Sequence, residues 1–282
     1  MVNEPALLTD LLASLRAMPD VRVVTLFGSR ARETFHPADG ESDYDLQIVT
    51  KHPRRLESRE WVERALGAGA VHAWTVKPAF GGAVKISAIV RGAELDLVIV
   101  PLRRFRQARL ALALGLHRRS PSIRRQLGDL AVVLAPGHRM LIGGEGWRRM
   151  LARVVAEVPL PRLDDAAVRN LAEGALIEHR AIHRKLKRGE LRAAQRWLHT
   201  SLAETNFRLW LERRQRAGEP GFYDGRRLEQ VASAEDLAAL SVSASLTAEA
   251  VAAAADRALE TTRELTRALI PAWSMPAAFT GR

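Results

Sequence analysis

Val21-Arg22-Val23-Val24-Thr25-Leu26-Phe27-Gly28-Ser29-Arg30-Ala31-Arg32 and, after a polar stretch, Ser42-Asp43-Tyr44-Asp45-Leu46-Gln47-Ile48-Val49-Thr50 together decide how the chain folds. The first seven residues are rich in β-branched side chains and predict a strand over 21–27. Gly28-Ser29-Arg30 interrupts that run, and Pro37, Asp39 and Gly40 mark a loop. A second strand is expected over 45–50. Asp43 and Asp45 stand two residues apart, so in extended chain both side chains project from one face.

Upstream, Leu7, Leu8, Leu11, Leu12 and Leu15 recur at three- and four-residue steps and predict an amphipathic helix over 5–18, with Pro5 in its first turn. Downstream, a short helix is expected over 57–67, then strands over 71–77, 84–90 and 94–100. Gly81-Gly82 and Arg91-Gly92 supply the turns between those strands. The last is a near-continuous apolar run that suits a central strand, and Pro101 ends it. After Phe105 the pattern becomes helical, with helices expected over 102–115, 121–134, 145–157, 164–187, 190–216, 226–240 and 247–269. No internal repeat is visible. The expected fold class is α+β: an α/β domain with a mixed sheet over 1–105, then an all-helical domain over 106–282.

Composition narrows the function. Of 282 residues, 47% are hydrophobic and 27% charged, as in a globular protein. Cysteine is absent, which excludes a disulfide framework, a thiolate metal site and a cysteine nucleophile. No apolar run reaches the roughly 18–20 residues that span a bilayer, and Met1-Val2-Asn3-Glu4-Pro5 lacks the features of a secretory leader. A cytoplasmic protein with no membrane partner is expected. The net charge is +11, and almost all of the excess falls after residue 105. A basic helical part attracts polyanions such as RNA; an arginine-rich composition also serves simply to keep helices soluble.

Asp96 opens the apolar strand Leu95–Val100. An unpartnered aspartate buried there is costly, which implies a metal-binding or hydrogen-bonding role. Gly28 permits close backbone approach, Ser29 adds a hydroxyl beside amides that can cradle phosphate, and Arg30 or Arg32 can steady phosphate charge. Alone, a Gly-Ser turn, an Asp-x-Asp loop or two arginines signify little. In this order they compose a site in which Asp43, Asp45 and Asp96 hold two Mg²⁺ ions beside a triphosphate.

The segment resembles the polymerase β-type nucleotidyltransferase superfamily, whose signature is Gly-Ser, a spacer, Asp-x-Asp and a third acidic residue downstream. The resemblance implies that Gly28 and Ser29 bind the phosphates of ATP or another NTP, and that Asp43, Asp45 and Asp96 are the metal ligands. It also makes Asp96 the candidate base for the attacking hydroxyl, with Glu94, on the same strand face, as second choice. Many members have glycine where Glu33 stands, and a shorter spacer. The longer spacer, the run Glu94-Leu95-Asp96-Leu97-Val98-Ile99-Val100-Pro101-Leu102, and the segments Lys185-Leu186-Lys187-Arg188-Gly189-Glu190, Ala193-Ala194 to Leu198 and Asp224-Gly225-Arg226-Arg227-Leu228 are similar to the aminoglycoside 6-adenylyltransferase branch.

That branch implies an acceptor held between two domains, with the helical one contributing contacts. Glu173, Glu178 and Glu190 are candidates to hold amines or act as base, Glu190 first; favourable placement at a helix amino terminus is its plainer explanation. His179 and His183 have the four-residue spacing of helical metal sites. They lack the adjoining glutamate of zinc proteases and stand among Arg180, Arg184 and Lys185, so partly exposed helix residues, rather than a metal site, are expected. Trp197, Phe207 and Trp210 read as core. The implied reaction moves AMP, or another NMP, from NTP to a hydroxyl of a small aminoglycoside-like acceptor, releasing pyrophosphate. Two alternatives keep part of the pattern: transfer to RNA such as tRNA or to a protein, as in toxin-like relatives, or nucleotide binding without catalysis.

Overall fold

The β-branched and apolar runs form one sheet in the computed structural model, which describes residues 4–32, 38–79, 82–219 and 225–276. Its strands are β1 (Val21–Phe27), β2 (Tyr44–Thr50), β3 (Val71–Pro78), β4 (Val84–Val90), β5 (Ala93–Pro101) and β6 (His138–Ile142). They lie in the order β3-β4-β5-β2-β1-β6. β2 and β5 run parallel and the other neighbours antiparallel, so the sheet is mixed as expected. The chain is α+β.

Each face of the sheet has its own cover. Helix α1 (Glu4–Ala17) and helix α2 (Glu60–Leu66) bring Leu7, Leu11, Leu15, Trp61 and Val62 against Leu46, Ile48, Leu97 and Ile99. Leu97 is fully buried, and truncating it to alanine should cost about 2–5 kcal/mol. The opposite face presents Val23 and Val49 to Leu102, Phe105 and Leu112 of α3 (Leu102–Ala113), Leu127 and Leu134 of α5 (Pro121–Leu134) and Val154 of α6 (Glu145–Glu157). A single turn, α4 (Leu116–Arg119), connects α3 to α5.

This second layer moves the expected domain boundary. The chain divides into two compact units, 1–161 and 162–282, rather than after Phe105. Without α3, α5 and α6 the Val23 and Val49 face would meet water, so these helices belong with the sheet. β6, missing from the sequence expectation, is a short and half-buried edge strand paired to β1. Gly81 and Asp224 lie outside the described residues.

The second unit is helical: α7 (Asp165–Lys187), α8 (Leu191–Trp197), α9 (Glu204–Arg216), α10 (Leu228–Val231), α11 (Ala234–Leu240) and α12 (Ala248–Leu269). Side chains cap the two longest, Asp164 accepting from the Ala167 N–H and Thr247 from the Ala250 N–H. The single helix expected over 190–216 is divided by a wide π-type turn at Leu198–Ala203. The one expected over 226–240 is two short helices, with Ser233 capping the second. Trp210 is buried and stacks on Phe207 at 6.0 Å, a core role as expected.

Buried polar links tie this unit together. The Asn206 amide donates to the Ala258 carbonyl, and the Thr262 hydroxyl donates to Asn206 Oδ1. Glu212, only 3% exposed, accepts from Arg162, Arg216 and the Leu163 N–H. Burial alone raises its carboxyl, but these donors outweigh it and hold the group below its ordinary range.

Candidate active site

Strand register brings distant aspartates side by side. Phe27 of β1 pairs with Asp45 of β2, and Asp45 pairs across the parallel ladder with Asp96 of β5. Asp43 enters from the loop immediately before β2. Carboxylate oxygens of Asp43, Asp45 and Asp96 all lie within 4.8 Å of one another. The strand period puts Asp45, Gln47 and Val49 on one face. Val49 packs beneath the helical layer, so the same face is apolar at one end and acidic at the other. Tyr44 points the opposite way into the core.

Gly28 ends β1 with φ at +74°, a region that favours glycine. A Cβ there would fall 2.1 Å from Asp45 Oδ2. The glycine therefore exists for close approach: any side chain would collide with one of the three carboxylates. Ser29 opens a single 3₁₀ turn, Ser29–Ala31, next to that contact, and Arg32 closes it through its N–H to the Ser29 carbonyl. Glu33 lies outside the described residues.

Arg30, expected on phosphate, engages the loop before β2. Its guanidinium donates to the carbonyls of Ser42 and Asp43 at 3.0 and 3.1 Å and covers the Tyr44 ring at 4.1 Å. It thus fixes the loop that delivers Asp43. The same loop is tightened from within, where the Ser42 hydroxyl donates to Asp39 Oδ1 at 2.8 Å and the Glu41 N–H donates to the same oxygen.

Lys85 escaped the sequence reading. Its ammonium lies 2.7 Å from Asp96 Oδ2. The signal was present: alternation along β4 places Lys85 and Ser87 on one face, and Ser87 pairs with Asp96. Glu94 shares the Asp96 face but is exposed, and it is not among the converging carboxylates.

The acidic candidates of the second unit are dispersed. Glu190 precedes α8 without capping it through its side chain, and its carboxylate lies 3.5 Å from Lys185. Glu173 is exposed. Glu178 is half-buried, and its Oε2 is shielded from solvent with no hydrogen-bond partner among the described residues. His179 and His183 are partly exposed helix residues, as expected, and both meet Asp256 of α12.

The observed units also relocate the charge. Of the 43 basic and 32 acidic residues, 24 and 16 fall in 1–161, leaving 19 and 16 in 162–282. Most of the basic excess accompanies the sheet and its helical cover, with a net of +8 against +3 in the second unit. No helix among the described residues is long and apolar enough to cross a membrane.

No protein-family model and no curated protein sequence matches the chain. Among solved structures it is similar to a nucleotidyltransferase-like protein from Exiguobacterium sibiricum, 12% identical over 94% of this chain and 74% of that one, with a TM-score of 0.38. It is likewise similar to an aminoglycoside 6-adenyltransferase from Bacillus subtilis, 12% identical over 96% of this chain and 93% of that one, with a TM-score of 0.41.

Proposed function

We propose that the chain is a Mg²⁺-dependent nucleotidyltransferase that moves AMP, or another NMP, from a nucleoside triphosphate to a hydroxyl of a small aminoglycoside-like acceptor. The observation that carries this reading is the meeting of the Asp43, Asp45 and Asp96 oxygens within 4.8 Å, against a glycine that admits no side chain. The donor set fits the ion: three carboxylates offer only oxygen, the ligand Mg²⁺ prefers. Seating of the Lys85 ammonium on Asp96 supports the same reading, since the cluster already draws positive charge.

On this reading Asp43, Asp45 and Asp96 hold two Mg²⁺ ions. When bound, the ions neutralise phosphate charge and acidify the attacking hydroxyl. The protein supplies the rest. Ser29 donates from its hydroxyl to the outer phosphate oxygens at the Gly28 turn. Arg30 keeps Asp43 in place by holding the Ser42 and Asp43 carbonyls. Asp96, or Glu94 beside it, receives the acceptor's hydroxyl proton. The acceptor oxygen forms its bond to the α-phosphorus as the bond to the bridging oxygen breaks, and pyrophosphate leaves. The second unit serves as the acceptor-binding domain. Within it, Glu190 and Glu178 are the candidates to meet a cationic acceptor, and Glu190 already shows its affinity for an ammonium, lying 3.5 Å from Lys185.

Transfer to RNA is the second reading, favoured by the 24-to-16 basic excess in the unit that carries the aspartates. One experiment separates the two. The protein is incubated with α-labelled ATP or GTP, Mg²⁺, and separate pools of aminoglycosides and tRNA. Label on a small molecule is the expected result. Label on tRNA overturns the acceptor and keeps the chemistry, whereas bound nucleotide without transfer to any acceptor overturns catalysis.

A further inference from the structure

His179 and His183 lie one turn apart on α7, a 23-residue helix, so their rings share a face. Asp256 reaches them from α12. His179 Nε2 is 2.7 Å from Asp256 Oδ1, His183 Nε2 is 2.9 Å from the same oxygen, and the two nitrogens are 3.1 Å apart. The ring centroids are separated by 4.5 Å. From this three-atom convergence we infer a second metal site, for Zn²⁺ or a similar imidazole-preferring divalent transition ion, that clips α7 to α12.

The chemistry of the three atoms favours a cation over hydrogen bonding alone. With both rings protonated at Nε2, two hydrogens crowd towards one oxygen from nitrogens 3.1 Å apart. With either ring unprotonated there, a nitrogen lone pair faces a carboxylate oxygen. A cation at the centre removes both conflicts. Zn²⁺ takes imidazole nitrogen and carboxylate oxygen at about 2.0–2.2 Å, which puts tetrahedral ligands roughly 3.3 Å apart. The observed triangle is tighter, and its sides need to open by roughly 0.2–0.6 Å. Asp256 has the freedom to do this, being 50% exposed, while the histidine side chains are 12% and 16% exposed and set by the helix. The exposed side leaves room for water as a fourth ligand. Two imidazoles and one carboxylate suit zinc, nickel or copper rather than Mg²⁺, so this site and the aspartate cluster select different ions.

Zn²⁺ alone, titrated into the untagged, chelator-stripped full chain by calorimetry, tests the site, with Co²⁺ as a spectroscopic reporter of tetrahedral coordination. One zinc per chain is expected at this site, with a rise in melting temperature. An Asp43→Ala/Asp45→Ala chain should retain it. His183→Gln and Asp256→Asn should each weaken Zn²⁺ binding by about 100-fold or more and abolish the Co²⁺ visible bands. Circular dichroism checks that each variant is folded; if His183→Gln is not, the half-exposed Asp256→Asn decides. Zinc binding unchanged in the folded His183 or Asp256 variant, zinc lost only with Asp43 and Asp45, or no zinc bound at all would each overturn the assignment.

Discussion

The sheet unit gathers three carboxylates, and the helical unit gathers two imidazoles and one carboxylate, by opposite means. Asp45 and Asp96 are neighbours because β2 and β5 pair in parallel, residue by residue. His179 and His183 are neighbours because a helix turn separates them, and Asp256 joins only through packing of α7 on α12. The first cluster is held at its loop end by Arg30 and seated against a glycine; the second has an exposed carboxylate. What differs is the donor set. All-oxygen ligands suit a hard ion and phosphate chemistry, whereas mixed nitrogen and oxygen ligands suit a softer ion that links elements.

Substitution within the aspartate cluster should produce the largest effect. Asp45→Ala is expected to reduce transfer from ATP by on the order of 10³-fold or more, with circular dichroism and melting little changed. Equal loss on replacing Asp256 would erase the distinction between the clusters. Gly28→Ala comes next. A Cβ 2.1 Å from Asp45 Oδ2 must displace that carboxylate, and activity should fall about 100-fold in a steady-state assay.

The helical unit should yield first to acid. Glu212 is held below the ordinary carboxylate range by Arg162, Arg216 and the Leu163 N–H against the opposing effect of burial. A lowered folded-state pKa gives stability that is complete above the unfolded value, about 4.3, and is lost as pH falls through the folded one. Glu212→Gln should therefore remove about 2 kcal/mol near neutral pH and flatten the acid limb of a denaturation profile. The smallest effect falls to Arg30→Ala. Losing its two carbonyl bonds loosens Asp43 without removing a ligand, and kcat/KM should drop roughly tenfold. A drop as large as that of Asp45→Ala would mean that Arg30 meets substrate directly.

Local chemistry made much of the first cluster readable in the chain. Asp43 and Asp45 are two apart, Gly28 follows a β-branched run, and Asp96 stands at the head of an apolar one, so period and composition sufficed. Lys85 was legible in principle from the same alternation. The helical cluster was not, because its third member is 73 residues from His183 and lies on an otherwise ordinary alanine-rich helix. The division at Pro161 was hidden for a related reason. The apolar stripe of α3 says that it packs, not that its partners are Val23 and Val49 on the far face of the sheet. β6 has too few residues and too even an exposure to show a period. A cation beside a Gly-Ser turn serves phosphate or loop carbonyls equally well, so the hold of Arg30 on the Ser42 and Asp43 carbonyls was not legible.

Manganese, which shares the oxygen preference of Mg²⁺ and is visible by electron paramagnetic resonance, tests the aspartate cluster most directly. Titrated with ATP into the wild-type chain, it should bind with a stoichiometry that Asp43→Ala/Asp45→Ala lowers and Asp256→Asn leaves alone. Manganese and ATP binding unaltered by loss of both aspartates would contradict the assignment of the metal-dependent chemistry to that site.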